Sequence, residues 1–473
     1  MKARGTVAVP AVLALNLAAT LVTGLVTLRD FPNSADEYSY CLSAEIFSEG
    51  RLSVPSPRPR ESFDFTHVLN DGRFYGKYPP GWPLLLSAGT LLGTPWIVNP
   101  VLGTLTLLTV YLTARRHFSP AIANIALFST LCNPYFVFNS ASYFSHSSCL
   151  FFTALAVHFY FEYLSDSAPR TGALLFGLSA GAAFLIRPYT AAALLAPLAA
   201  HLFVDAASRK RWGTLAKCLP FMAIPAVLFV ALFLAYNAAQ TGNPFLQPFQ
   251  KYDPSDTPSL GGMIGELGPR LRDHLALRLL DLSLWLPLAP FFVLAFLASR
   301  EARANSKGVL LVTMFLALLA SYVPYWGSGI FQYGPRYLYE ASGALVIVSA
   351  CVASRYARGG ALILAGMLLV NASTFVTATR HHGRDVRERM ELYDAVKRQG
   401  ISGAVVFLKT GSGTMPPGDL TRNGIRFDGP VLYAHDRGAL NDRVLEEHPG
   451  RKGYSFEYDR AAKRGKLVPL PGR

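Results

Sequence analysis

Long uncharged runs alternate with short polar ones from residue 6 to residue 378, and there the pattern breaks off. The first run, 6–28, exceeds the roughly 20 residues a helix needs to cross a hydrocarbon core about 30 Å thick. Comparable runs lie near 96–114, 119–139, 147–164, 171–187, 188–204, 214–236, 283–299, 308–325, 337–353 and 361–378, which predicts about eleven spans. A cleaved signal has an apolar region of only about 7–15 residues, so the first run reads as a retained span. Residues 83–95 are apolar but short, and 263–281 mixes Leu with Arg and Asp at helical spacing. Both suit a helix lying along the membrane surface.

Beyond 380 short strand-like runs (404–409, 429–436, 454–459) alternate with helix-like ones (385–400, 441–448). That is the pattern of a small α/β domain. The expected fold is mainly α: a polytopic transmembrane helical bundle over 1–379, with a soluble C-terminal α/β domain over 380–473.

Composition agrees with a membrane chain. Of 473 residues, 51% are hydrophobic and 16% charged, against about 25% charged in soluble domains. The net charge of +14 raises nucleic acid as a partner, but no basic stripe interleaved with aromatics is present. The cations sit instead in alternate loops: Lys2 and Arg4, Arg115 and Arg116, Arg170, Arg209 to Arg211 and Lys217, Arg300, Arg303 and Lys307, Arg355 and Arg358. The positive-inside rule assigns these loops to the cytoplasm. It places the N-terminus inside, and the loop 29–82, the segment 237–282 and the tail 380–473 outside, as expected for a multi-pass membrane protein. The five cysteines show neither a CxxC pair nor zinc spacing, and only Cys41 falls in a clearly outer loop. The tail carries 18 Lys and Arg against 12 Asp and Glu, which fits a solvated surface or attraction to acidic partners.

Candidate chemistry concentrates at the outer ends of the spans. Asp36 and Glu37 follow the first span within a few residues. They read either as the first turn of a hydrated loop helix capped by Ser34 or as a general base with a pKa tuned by its pocket. Lys77, Tyr78 and the prolines after them precede the apolar 84–92. Lys77 at headgroup depth can snorkel or meet a phosphate. Arg187 and Arg336 are isolated cations at outer span ends, where an ionisable residue is costly. A phosphate would satisfy them bidentately; so would a structural ion pair, such as Arg336 with Glu340 or with a loop acid. His146 lies in another outer turn and reads as readily as a structural residue. Asp64, His67 and Asp71 are residual candidates for metal or acceptor contacts, although their spacing matches no metal motif.

Three segments together resemble the GT-C superfamily: the acidic pair after the first span, KYPPGWPLLLS at 77–87 and GPRYLYE at 334–340. Within it, the chain is similar to bacterial relatives of protein O-mannosyltransferases and to the lipid A aminoarabinose transferase. YNAAQTGNPFLQPF at 236–249 is similar to the same group. The resemblance implies a glycosyltransferase that takes sugar from a polyprenyl-phosphate donor and passes it to an extracytoplasmic protein, lipid or glycan. It implies that Asp36, with Glu37 beside it, is catalytic, and that Lys77, Tyr78, His146, Arg187, Tyr333 and Arg336 bind substrate. The expected mechanism is inverting. No cofactor or metal is expected, because cationic side chains can neutralise a phosphomonoester leaving group. Two other readings stay open. A transporter or flippase would show internal repeats and mid-membrane polar residues, and a polymerase or ligase would use a diphosphate-linked donor.

Overall fold

The computed structural model describes residues 8–165, 169–255, 269–300, 304–323, 329, 332–355, 359–409 and 418–471. Lys2, Arg4, Arg303, Arg358 and the stretch 263–268 lie outside the described residues.

Helix α1 (Ala8–Val22) continues as a π-helical turn (Thr23–Thr27). The chain then leaves the bundle and starts α2 (Ala35–Ser48). Ser34 caps α2, its Oγ accepting from the Glu37 amide at 3.1 Å. A three-stranded antiparallel sheet follows, in the order β1 (Val54–Pro55), β3 (Arg73–Gly76), β2 (Val68–Asn70). The β2–β3 turn centres on Gly72 at φ +100°, a conformation glycine takes at no steric cost, and Asn70 pairs with Phe74 across it.

Short α3 (Gly81–Leu91) is followed by α4 (Val98–His117), α5 (Pro120–Ser129), α6 (Pro134–Ala141), α7 (His146–Leu164), α8 (Pro169–Ile186), α9 (Pro188–Ser208) and α10 (Trp212–Thr241). After the single turn α11 (Pro248–Tyr252) come α12 (Pro269–Trp285), α13 (Ala289–Ala298), α14 (Ser306–Ser321) and α15 (Ser342–Ala353). Every residue of α15 is buried, so it forms the centre of the bundle, whereas α10 exposes Ile224, Val227 and Leu228 on the outside. An apolar exterior of this kind is what a helix facing lipid requires.

The span count differs from the expected eleven. Among the described residues seven helices are long and apolar enough to cross a membrane, or nine if each of two bent pairs counts once. The run expected at 119–139 is α5 and α6, bent by 64°. Cys132 at φ +49° and Pro134 at the start of α6 break it. The run at 283–299 is the end of α12 plus α13, bent by 101° where Leu288 takes φ +59° ahead of Pro290. Residues 275–281, expected on the membrane surface, belong to the first arm of that bent pair. Helix α14 has only 16 residues, and α7 carries His146, Ser147, Ser148, His158 and Glu162.

The cationic ends of the spans gather at one end of the bundle. There Arg116 Nε and His117 Nε2 each lie 3.1 Å from Glu162 Oε1, and Lys307 Nζ lies 3.2 Å from His117 Nδ1. The expected boundary at 379/380 falls inside one continuous helix, α16 (Gly359–Arg398). At 1.5 Å per residue it is about 60 Å long, so it carries the C-terminal domain away from the cationic end. That domain has a four-stranded sheet in the order β5 (Val431–His435), β4 (Ala404–Leu408), β6 (Lys452–Asp459), β7 (Arg464–Pro469). β4 pairs parallel to both neighbours, β6 and β7 are antiparallel, and α17 (Leu440–Glu447) lies in the β5–β6 connection. β7, rich in basic residues, has no counterpart among the expected strands.

The loop 29–82 and the C-terminal domain share their cores. Ile425 packs among Tyr38, Leu42, Ile46, Val54 and Phe74, while Phe63 inserts among Val405, Phe407 and Leu432. Arg389 donates to Asn33, and Arg422 to the Pro32 carbonyl. These contacts fix the residues that lead into α2.

Candidate active site

Three elements meet around Asp36. Its carboxylate stands in the first turn of α2; β3 and the segment after it pass alongside, and the segment leading to α15 closes the third side. β3 can approach α2 so nearly because position 76 is glycine. A Cβ there would lie 2.4 Å from Ser43 Oγ and 2.7 Å from the Ser39 carbonyl oxygen. Gly81 plays the same part where α3 meets the end of α8, since a Cβ would lie 2.7 Å from Leu185 and Ile186 backbone atoms.

Asp36 Oδ2 accepts from Arg336 Nη1 at 3.0 Å, and Oδ1 lies 2.9 Å from His67 Nδ1. The Tyr78 hydroxyl donates to Oδ1 as well. The Asp36 side chain is 16% exposed, so the group is reachable yet largely enclosed. Burial pushes its carboxyl up, but Arg336, His67 and Tyr78 outweigh burial and hold it well below the usual carboxylate range. Glu37, one residue on, points the other way into the protein. It accepts from the Tyr143 amide at 2.9 Å and from Ser34 Oγ at 3.2 Å. Burial pushes it up to about 7, against the lowering effect of those hydrogen bonds and of Arg422. Two adjacent carboxyls are thus shifted in opposite directions by their surroundings.

Lys77 is buried under aromatic rings. Its Nζ lies 4.4 Å from the Phe249 centroid, 4.8 Å from Tyr252 and 5.5 Å from Tyr78. The stretch 236–249 forms this wall: Tyr236 donates to the Tyr78 carbonyl at 3.3 Å, and Arg73 donates to Gln240 Oε1 at 2.8 Å. Lys77 and Asp36 are joined through Tyr78.

Arg187 and His146 form a second group. Glu340 Oε1 lies 3.0 Å from Arg187 Nε and 2.9 Å from His146 Nδ1. The possible Arg336–Glu340 pair is therefore not formed. Residues Arg336–Ala341 make a 3-10 helix, in which positions four apart do not share a face. Arg336 turns to a loop acid, Asp36, and Glu340 turns inward to Arg187. The two groups communicate through Tyr40, whose ring lies 4.4 Å from that of Tyr78 and whose hydroxyl lies 3.0 Å from Ser145 Oγ. Ser145 Oγ in turn accepts from Arg187 Nη1 at 3.2 Å.

Tyr333 is placed apart from Asp36. Its hydroxyl accepts from Asn33 at 3.3 Å and its ring stacks on Phe138, with Phe144 between it and Arg336. The residual candidates separate: His67 joins Asp36, whereas Asp64 accepts from Asn70 at 2.8 Å and Asp71 from Lys251 at 2.5 Å. Tyr40, Ser145, Phe249 and Tyr252 are not among the sequence candidates, and Glu340 is one only as a partner for Arg336. Tyr40 sits four residues after Asp36 on a helix, and that spacing was the available signal. Among the described residues, one group is spaced to hold a metal, His381, His382 and Asp385 of α16. It packs against Tyr333 and Phe138.

Residues 78–236 match the model of the dolichyl-phosphate-mannose-protein mannosyltransferase family, and residues 404–472 match a domain of unknown function, DUF7846. No curated protein matches the chain in sequence. Among solved structures, the chain is similar to ArnT from Cupriavidus metallidurans bound to undecaprenyl phosphate, at 13% identity and a TM-score of 0.60, covering 96% of this chain and 97% of that one. The apo form of the same protein aligns at 13% identity and a TM-score of 0.58, over 98% of each chain. The Archaeoglobus fulgidus oligosaccharyltransferase in complex with Zn and sulfate aligns at 14% identity and a TM-score of 0.50, over 94% of this chain and 68% of that one. The identities are low, and the shared property is the fold. The chain thus shares the fold of these transferases along nearly its whole length, and over 78–236 it matches the mannosyltransferase family model in sequence.

Proposed function

We propose that this protein transfers a glycosyl group from a polyprenyl-phosphate donor to an acceptor at the extracytoplasmic face of a bacterial inner membrane. The observation that carries the reading is the Asp36 carboxylate, held ionised between Arg336, His67 and Tyr78 at the mouth of the bundle. The ArnT relative is bound to undecaprenyl phosphate, which is the chemistry of the donor proposed here. Nucleotide sugars are confined to the cytoplasm, so an outward-facing transferase needs a donor carried through the bilayer.

In this mechanism Asp36 accepts the proton of the acceptor hydroxyl as its oxygen attacks the anomeric carbon. Attack comes from the face opposite the departing phosphate, and the configuration inverts. Arg336 and Lys77 stabilise the charge that collects on the leaving phosphate, a preorganised effect on the order of 3 kcal/mol per donor. Arg336 Nε is buried without a hydrogen-bond partner among the described residues, which leaves it a donor to spend on that phosphate. A phosphate drawn to Arg336 competes with Asp36 for the guanidinium, so donor binding moves the Asp36 carboxyl upward and makes it a better base. Glu37 holds the start of α2 against the Tyr143 amide. His146, Glu340 and Arg187 orient the floor of the pocket through Ser145 and Tyr40. These cations suffice for a phosphomonoester leaving group, so the reaction is proposed to need no divalent metal.

The test is a purified protein in lipid given a labelled polyprenyl-monophosphate sugar with candidate acceptors. Wild type should transfer or hydrolyse the sugar, and Asp36→Asn should not. Equal turnover by the variant removes Asp36 from the mechanism, and movement of substrate across the bilayer without bond cleavage replaces the reading with transport.

A further inference from the structure

Helix α16 presents one outward stripe that changes character partway along. Leu362, Leu369 and Val376 are exposed on it, at 76%, 73% and 47%. Taking about 100° per residue, the exposed Arg380, Arg384 and Arg387 continue the same line to within about 40°. The face that offers aliphatic side chains to lipid therefore runs directly into three guanidiniums.

None of the three has an acidic partner within ion-pair distance among the described residues. The acids on the same helix are occupied by other groups. Asp385 lies 3.5 Å from His381, Asp394 pairs with Arg29 at 3.2 Å and Glu391 with Arg398 at 2.6 Å. Glu388 accepts from the Tyr458 hydroxyl at 3.0 Å and lies 3.9 Å from Lys463. Arg116, His117 and Lys307 of the inner loops gather at the far end of the bundle, around Glu162. Three uncompensated cations here run against that distribution and call for a counter-charge.

Depth identifies the counter-charge. The headgroup layer adds about 5–8 Å on each side of the hydrocarbon core. With Val376 as the last apolar position of the stripe, Arg380 lies about 6 Å further along the helix and Arg384 about 12 Å. Arg387 lies about 16 Å along, and because side chains on a helix lean toward its N-terminal end, here the membrane, the long arms of Arg384 and Arg387 reach back toward the headgroups. A guanidinium at headgroup depth meets phosphate oxygens in a geometry it can bind with two parallel donors. We propose that Arg380, Arg384 and Arg387 form a binding site for the phosphate of an anionic phospholipid in the leaflet around α16. The bound lipid anchors the helix that carries the C-terminal domain. This inference rests on α16 crossing the membrane, not on the sugar-transfer reading, and is tested without an activity assay.

The experiment measures binding of fluorescent phosphatidylglycerol and phosphatidylcholine analogues to the full-length protein in uncharged detergent micelles. Wild type should prefer phosphatidylglycerol by about tenfold or more, since each cation near an anionic surface contributes appreciably. The preference should fall as salt is raised. The variant R380Q/R384Q/R387Q should lose it, and R443Q/K452Q/R460Q, which removes the same charge from the C-terminal domain, should keep it. If the first variant fails to fold, R380K/R384K/R387K must retain the preference and its salt dependence. Equal binding of the two lipids by wild type, equal loss in both neutral variants, or a preference insensitive to salt overturns the proposal. So does displacement of the lipid by glycerol 3-phosphate, which would mark a soluble-phosphate site.

Discussion

Asp36 and Arg336 stand 300 positions apart in the chain, yet their carboxylate oxygen and guanidinium nitrogen lie 3.0 Å from each other. The first follows the opening span and the second precedes α15, so the pair closes the mouth of the bundle. Such a contact is strong because both groups are largely withdrawn from water. Its energetic meaning is that neither residue can be removed without leaving the other short of a partner.

That coupling is measurable. Asp36→Asn and Arg336→Gln should each lower glycosyl transfer by about 10²-fold or more, the range for loss of a positioned base or charge donor. The double variant should fall far short of the product of the two single effects, because each single change already disables the shared unit. Strict multiplication of the rate losses, measured as kcat/KM for a polyprenyl-phosphate sugar, would show that the two residues act separately.

Arg336→Lys separates charge from shape. A lysine restores a cation but not the planar fork that reaches Asp36 and a phosphate together. The expected result is kcat reduced about tenfold or more with the fold intact, read by steady-state kinetics beside thermal melting. Full activity in the lysine variant would reduce the role of Arg336 to that of a point charge.

Much of this arrangement was legible before any coordinates. Span positions followed from apolar run length, and Asp36, Lys77, Arg187 and Arg336 stood out as charges where charge is expensive. What composition could not show was direction. The alternation of span and loop does not say that the 119–139 run bends at Cys132, because a left-handed residue there depends on its neighbours' packing. Nor does spacing reveal that Arg336 and Glu340 diverge, since that follows from a 3-10 winding set by the tertiary fit around Phe144 and Tyr339. Lys77 was readable as a cation at the interface, but its aromatic wall comes from Phe249 and Tyr252, more than 170 residues away.

Gly76→Ala tests the approach of β3 to α2. The added methyl group would lie 2.4–2.7 Å from two serine hydroxyls and the Ser39 carbonyl oxygen. The hydroxyls can rotate, but the backbone oxygen cannot. A cost of about 1–3 kcal/mol is expected for such overpacking, and it should fall on the strand that positions Lys77 and Tyr78. Thermal melting should drop, and KM for the donor should rise together with a fall in kcat. A variant with wild-type kinetics and stability would mean that α2 and β3 can separate without consequence.

Glu37 gives a pH dependence with a definite sign. Its carboxyl is raised from 4.5 to about 7, chiefly by burial. A carboxyl whose folded pKa exceeds its unfolded value binds a proton more tightly in the folded state, so it favours folding most below the unfolded pKa. That contribution declines as pH rises from about 4.5 and is gone above about 7, a change on the order of 3 kcal/mol across the window. Glu37→Gln removes the ionisation while keeping an oxygen for the Tyr143 amide. It can also donate to Ser34 Oγ. The variant should melt at nearly the wild-type temperature at pH 5 and several degrees above it at pH 8. Melting curves in one detergent at both pH values decide the matter. If the variant were less stable at pH 8 than wild type, Glu37 would have to be ionised in the folded protein, held by Arg422 and the Tyr143 amide.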